Sequence, residues 1–174
     1  MATLDLEGLR ESLPEYAKDL KLNLQAVLGE SSLTPVQQYG TALAVAAATR
    51  HGLLRETLRQ EALLRAGEIA VQDALAAAAL MGMNNIFYRF RHMVGKESYG
   101  QLPARLRMNR IAKPAGPKLD FELYCLAVSA VNGCEACVRA HEKTLLEGGF
   151  TEQQIHDAIR IAATVNGVAA ALEN

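Results

Sequence analysis

Asn132-Gly133-Cys134-Glu135-Ala136-Cys137-Val138-Arg139-Ala140-His141 is the stretch from which the rest of the chain is best read. Asparagine and glycine both tolerate left-handed backbone, so residues 132–133 end one helix and let another begin at Cys134. Two cysteines at C-x-x-C spacing can close a small disulfide ring. At the start of a helix their thiolates are stabilised by exposed amide N–H groups and the positive end of the dipole. The pair reads as a redox-active dithiol. A metal site is the competing reading, but zinc usually takes four ligands, and the remaining candidates, His141 and His156, sit at unusual spacing.

Working outward, a helix from about Lys118 or Asp120 to Val131 precedes the break, and one from Cys134 to Glu147 follows it. Gly148-Gly149 ends the latter. Phe150-Thr151-Glu152-Gln153-Gln154-Ile155 then supplies a capping box, with Phe150 and Ile155 placed as a hydrophobic staple for a last helix to about Leu172. If the helices before and after Gly133 lie antiparallel, residues whose numbers sum to about 265 are level with one another. Glu122 then falls within about two residues, or roughly 3 Å of rise, of His141. Cys137 and His141 are an i,i+4 pair on one helix face, with Cys134 one turn earlier. The row Glu122, His141, Cys137, Cys134 sets an orienting carboxylate, a base and two thiols in line, the logic of an activated nucleophile. Taken singly, His141 reads more often as a packed or capping histidine, and Glu122 most simply as a helix-start glutamate favoured by the dipole.

The upstream half is helical too. Leu4 to Leu28 has apolar residues at Leu9, Leu13, Tyr16, Leu20, Leu24, Val27 and Leu28, with Pro14 dividing a short leading helix from one beginning near Leu13. Thr34-Pro35-Val36-Gln37 is a helix start, and an alanine-rich buried helix runs to about Thr49. Leu53 to Leu64 forms another, with Leu54, Leu58 and Leu63 or Leu64 on its buried side. Gly67 punctuates it, and a long helix runs from Ile69 to Met93, closed by Gly95 and Gly100. Residues 100–118 read as loop, with Leu106 and Ile111 expected to pack. The halves resemble each other when slid by about 83 positions, which sets Tyr39, His51, Leu54 and Leu58 against Glu122, Cys134, Cys137 and His141; duplication and coincidence both explain the match.

A net charge of −1 gives no basic footprint for nucleic acid and no reason to expect an anionic membrane surface. Half the residues are hydrophobic, yet only 5% are aromatic and many are alanine, which suits closely packed helices and leaves β-sheet unsupported. No run approaches the roughly 18–20 apolar residues of a membrane span. Asp5, Glu7 and Glu11 make the N-terminus unlike a signal peptide, so a cytoplasmic location is expected, where a C-x-x-C pair is catalytic or metal-binding more often than structural. Cys125 is expected in the core. His51, His92 and His156 have no evident partners and read as structural or surface residues. Arg89, Arg91, Arg105, Arg107 and Arg110 read as a solvated or intersubunit surface.

The pattern E-x11-C-x2-C-x3-H resembles the alkyl hydroperoxidase D (AhpD) branch of the carboxymuconolactone decarboxylase-like superfamily. So do L-P-E-Y-A-K-D-L-K-L-N-L at 13–24, A-A-A-T-R at 46–50, M-G-M-N-N-I-F-Y-R at 81–89, L-R-M-N at 106–109, F-E-L at 121–123 and A-V-S-A-V-N-G-C at 127–134. The resemblance implies an all-α fold forming a single domain over 1–174, with a non-catalytic helical half (1–100) and a catalytic half (118–174). It also implies a homotrimer and reduction of alkyl hydroperoxides through the dithiol, with no tightly bound cofactor.

Carried over by position, Cys137 becomes the sulfenic acid, Cys134 closes the disulfide, and Glu122 and His141 form the proton relay. The partners implied are the peroxiredoxin alkyl hydroperoxide reductase C and a dihydrolipoamide system of lipoyl-bearing acyltransferase and dihydrolipoamide dehydrogenase. Mycobacterial members have a histidine between the cysteines where this sequence has Ala136, so a relay through that imidazole is absent. A general dithiol–disulfide adaptor with little peroxidase activity is the alternative, followed by a non-enzymatic metal-binding module.

Overall fold

The computed structural model describes residues 4–174, and among these every regular element is helical. The helices are α1 (Leu6–Glu11), α2 (Lys18–Gly29), α3 (Pro35–Thr49), α4 (Gly52–Val94), α5 (Glu97–Gln101), α6 (Asn109–Ala112), α7 (Lys118–Val131), α8 (Glu135–Glu147) and α9 (Glu152–Glu173), with a 3₁₀ turn at Glu15–Ala17. Both expected capping boxes form: Thr34 and Gln37 cap α3, and Thr151 and Gln154 cap α9. Each satisfies two amide donors that a helix start otherwise leaves free.

Helices α3 and α7 form the centre. Ala42 to Ala46 and Phe121 to Ser129 are buried without interruption, because each helix is covered on all sides by others. The two approach so closely at Gly40 that a Cβ there would overlap the Tyr124 ring, whose hydroxyl donates to the Val36 carbonyl at 2.9 Å. Helix α9 packs on α2, α3 and α7.

The internal repeat is visible in the backbone. Helices α3 and α7 start at residues 35 and 118, and α4 and α8 at 52 and 135. The left-handed residue before each second helix also recurs, as Arg50 (φ 65°) and Gly133 (φ 66°). Gln37 Nε2 donates to Asp120 Oδ1 at 2.9 Å across a separation of 83 residues. Equivalent positions that touch each other are what an approximate two-fold axis between the halves produces.

Several local expectations are corrected. Tyr16 is 71% exposed, because the chain turns through the 3₁₀ element and α2 begins only at Lys18. Leu63 and Leu64 face solvent, since the buried side of that stretch is formed by Leu54, Thr57, Leu58 and Ala62. Gly67 (φ 84°, ψ 170°) is non-helical and kinks the chain between the two helical parts of α4, the break expected there. Residues 100–118 contain the end of α5 and the short α6 rather than loop alone, and Leu106 is exposed while Ile111 packs on the core.

That segment is fastened to α4 by the buried carboxylate of Asp73. It accepts from Arg110 Nη2 (2.8 Å), the Ala115 amide (3.0 Å) and the Gly116 amide (2.7 Å). Asp73→Ala leaves three donors unanswered and is expected to cost about 2–4 kcal/mol, measured by denaturant titration. A loss below about 0.5 kcal/mol would show that the segment is held by its apolar contacts instead.

Candidate active site

The site lies where α7, α8 and α4 meet. Asn132 closes α7, Gly133 turns the chain, and Cys134 is the N-cap residue of α8, which begins at Glu135, one position after the expected helix start. Its amide donates to the Ser129 carbonyl and its carbonyl accepts from Val138, so the turn is tied to both helices. Cys134 and Cys137 are joined as a disulfide. Both are buried: Cys134 is wholly covered, and Cys137 retains 7% exposure.

The expected antiparallel register brings Glu122 to His141. His141 Nδ1 lies 2.6 Å from Glu122 Oε2, with both side chains largely buried. A carboxylate only accepts, so with Glu122 ionised the hydrogen sits on Nδ1 and Nε2 is left as the basic nitrogen. Cys137 and His141 share the lining of a cavity of about 220 Å³, together with Met81, Asn84 and Tyr88 of α4, Met108, Ile111 of α6, and Ala136 and Ala140 of α8. Cys134 is not part of that lining, so Cys137 is the sulfur that borders the cavity.

Behind the turn runs a second set of polar contacts. Asn85 Nδ2 donates to Ser129 Oγ (2.9 Å), Asn132 Nδ2 to Asn85 Oδ1 (2.9 Å), and Arg89 Nη1 to the Asn132 carbonyl (2.5 Å). These hold the residue two before Cys134 against α4. Cys125 lies buried in α7. Burial first, then the Glu122 and Asp73 carboxylates, push its thiol up, so it stays protonated and unreactive.

The remaining expected groups fall elsewhere. His51 does have a partner: its Nδ1 accepts from the Leu54 amide at 3.2 Å as the N-cap of α4, the position Cys134 occupies in the second half. His92 Nε2 lies 3.4 Å from Glu135, whose carboxyl is held below the usual range by its hydrogen bond to Arg139 and by charge. Arg110 binds Asp73, Arg89 binds Asn132 and Arg91 donates to the Gly100 carbonyl, so these three are spent on internal contacts rather than merely solvated. Among the described residues no group of three or more His, Cys, Asp or Glu could hold a metal ion, and no helix is long and apolar enough to cross a membrane.

The cavity residues Met81, Asn84 and Tyr88 were given no role from the sequence, although they fall in the 81–89 stretch that carries the resemblance and their spacing of three and four puts them on one face of α4. Asn85 and Ser129 were missed as well, since an asparagine or serine inside a helix carries no pattern of its own.

Comparison with known proteins agrees with this arrangement. The Carboxymuconolactone decarboxylase family profile matches residues 97–173. The chain is 60% identical to the alkyl hydroperoxide reductase AhpD of Anaeromyxobacter dehalogenans (strain 2CP-C), over 99% of this chain and 92% of that protein. It is 54% identical to the protein of that name from Solibacter usitatus (98% and 96% covered) and 52% identical to that of Coxiella burnetii (strain Dugway 5J108-111; 94% of each). With the buried Glu122–His141 pair beside a C-x-x-C disulfide, and identity sustained over nearly the full length, the chain belongs to the AhpD group of the carboxymuconolactone decarboxylase family.

Proposed function

We propose that the protein is a thiol peroxidase that reduces alkyl hydroperoxides through Cys134 and Cys137, and that residues 118–174 supply the chemistry within a single domain. The observation that carries this reading is the cavity on which Cys137 and the Glu122-bound His141 both open. His141 Nε2 takes the proton of Cys137, and the imidazolium that forms is stabilised by Glu122. The thiolate attacks the distal peroxide oxygen. An S–O bond forms, the O–O bond breaks, and the departing alkoxide takes the proton from His141 and leaves as the alcohol. The Cys134 thiol then attacks the sulfenic acid, releasing water and giving the Cys134–Cys137 disulfide.

Regeneration needs an incoming dithiol, which exchanges at Cys137 because that sulfur faces the cavity. A dihydrolipoamide system of lipoyl-bearing acyltransferase and dihydrolipoamide dehydrogenase is the proposed donor. The oxidised peroxiredoxin alkyl hydroperoxide reductase C is proposed as a second electron acceptor, and the cytoplasm as the location. Ala136 supports a second reading, a dithiol adaptor with little peroxidase activity, since it brings only a methyl group to the cavity.

Steady-state consumption of an alkyl hydroperoxide with dihydrolipoamide, with and without a 2-Cys peroxiredoxin, tests these readings. Turnover without the peroxiredoxin supports the peroxidase, and turnover only with it supports the adaptor. Absence of both removes the peroxidase and leaves the adaptor or a metal site, which metal content against free thiol count decides. A homotrimer is proposed for the assembly, and a monomer in sedimentation at micromolar concentration would overturn it.

A further inference from the structure

Asn84 and Asn85 are neighbours on α4 and nearly fully buried, yet their side chains are treated in opposite ways. Asn85 is bonded at both ends, to Ser129 and Asn132. Asn84, 4% exposed, makes no side-chain hydrogen bond among the described residues: its Oδ1 is sealed and unpaired, and its Nδ2 is left open and equally without a partner. A buried amide oxygen left unpaired is a standing cost that packing alone does not explain. Asn84 lines the cavity shared by Cys137 and His141, whose other walls are Met81, Tyr88, Met108, Ile111, Ala136 and Ala140. The Tyr88 hydroxyl is directed at Met108 Sδ (3.9 Å) and Glu122 engages His141 Nδ1, so the cavity's uncommitted polar groups are His141 Nε2, which serves Cys137, and the Asn84 amide.

An alkyl hydroperoxide matches this amide. Its oxygens are acceptors for the amide N–H, and its alkyl group suits the methionine and isoleucine walls. Resting on the peroxidase reading above, we infer that Asn84 is a substrate-binding residue that holds the hydroperoxide group beside Cys137. Nδ2–H donates to the oxygen bonded to carbon, while Oδ1 stays sealed behind it. As the thiolate takes the distal oxygen and the O–O bond breaks, the electron pair moves onto that second oxygen, and the Nδ2–H bond strengthens on the developing alkoxide until His141 delivers its proton. The dithiol half of the cycle has no such oxygen and does not use the amide.

The test separates the two half-reactions with Asn84→Ala and Asn84→Leu, the second replacing the amide by an apolar group of similar size. Pre-reduced protein is mixed with cumene hydroperoxide, and oxidised protein with dihydrolipoamide, in single turnovers. The hydroperoxide rate constant is expected to fall about 10–100-fold in both variants, and the dihydrolipoamide rate, read at the same cavity, to fall by at least about tenfold less. The thiolate titration of Cys137 should not move, and the thermal midpoint of the leucine variant should match or exceed that of the parent, since an unpaired polar atom has been removed.

An unchanged hydroperoxide rate overturns the assignment. So does an equal loss in both half-reactions with a lowered thermal midpoint, which would make Asn84 a packing residue, or a shifted thiolate titration, which would make the sulfur its partner. Parent protein that fails to react with cumene hydroperoxide overturns the peroxidase reading, and this assignment with it. Parent reactivity with unchanged variants overturns this assignment alone.

Discussion

Cys137→Ser is expected to lower hydroperoxide turnover by at least about a thousand-fold, because a serine hydroxyl at neutral pH has neither the ionisation nor the polarisability of a thiolate. Cys134→Ser should behave differently. Its peroxide-facing sulfur is intact, so one equivalent of hydroperoxide is consumed and the reaction then stops with a sulfenic acid at Cys137. A dimedone adduct on Cys137, found by peptide mass mapping, reads that state. The contrast follows from position: Cys137 opens on the cavity and Cys134 is wholly covered. Sustained turnover by Cys137→Ser, or an adduct on Cys134 in the complementary variant, would reverse the order of the two sulfurs.

Glu122→Gln should reduce the hydroperoxide rate by about 100-fold or more, in the range lost when a positioned acid–base group is disabled. Glutamine keeps the size of the side chain and can still accept from His141 Nδ1, so the geometry is preserved while the charge is removed. Without that charge the imidazolium loses its partner, His141 becomes a weaker base, and Cys137 needs higher pH to ionise. The rate–pH profile should therefore move upward, and the thiolate titration should move toward the free-cysteine value of about 8.5. A fall in rate with no movement of either curve would mean that Glu122 acts only by holding His141 in place.

The parts of this site that the chain announces are those governed by local rules. C-x-x-C, the i,i+4 step to His141 and the Asn-Gly break are all short-range, and once α7 and α8 are taken as antiparallel the Glu122–His141 contact follows from counting. Both capping boxes were legible for the same reason. What stayed hidden depends on how distant segments meet. Asp73 has no sequence neighbour to suggest that it accepts from residues 110, 115 and 116. Asn84 lies in the middle of a long amphipathic pattern, where a polar residue is ordinarily assigned to solvent, and only the approach of α8 encloses it. Tyr16 shows the converse error. Its spacing fitted the apolar stripe, but the 3₁₀ turn rotated it outward and its hydroxyl reaches the Ala171 carbonyl instead.

The recurrence of helix starts and of a left-handed residue in both halves places an internal reference inside the molecule. His51 caps α4 at the position where Cys134 begins α8, and Leu54 and Leu58 fill the core where Cys137 and His141 open on the cavity. The same geometry is thus present twice, once maintained by packing and capping alone and once burdened with sulfur and imidazole. Substitutions at corresponding positions form matched pairs. What a change at Leu54 or Leu58 does to stability is the scaffold's share, and the excess seen at Cys137 or His141 is the share that the chemistry imposes.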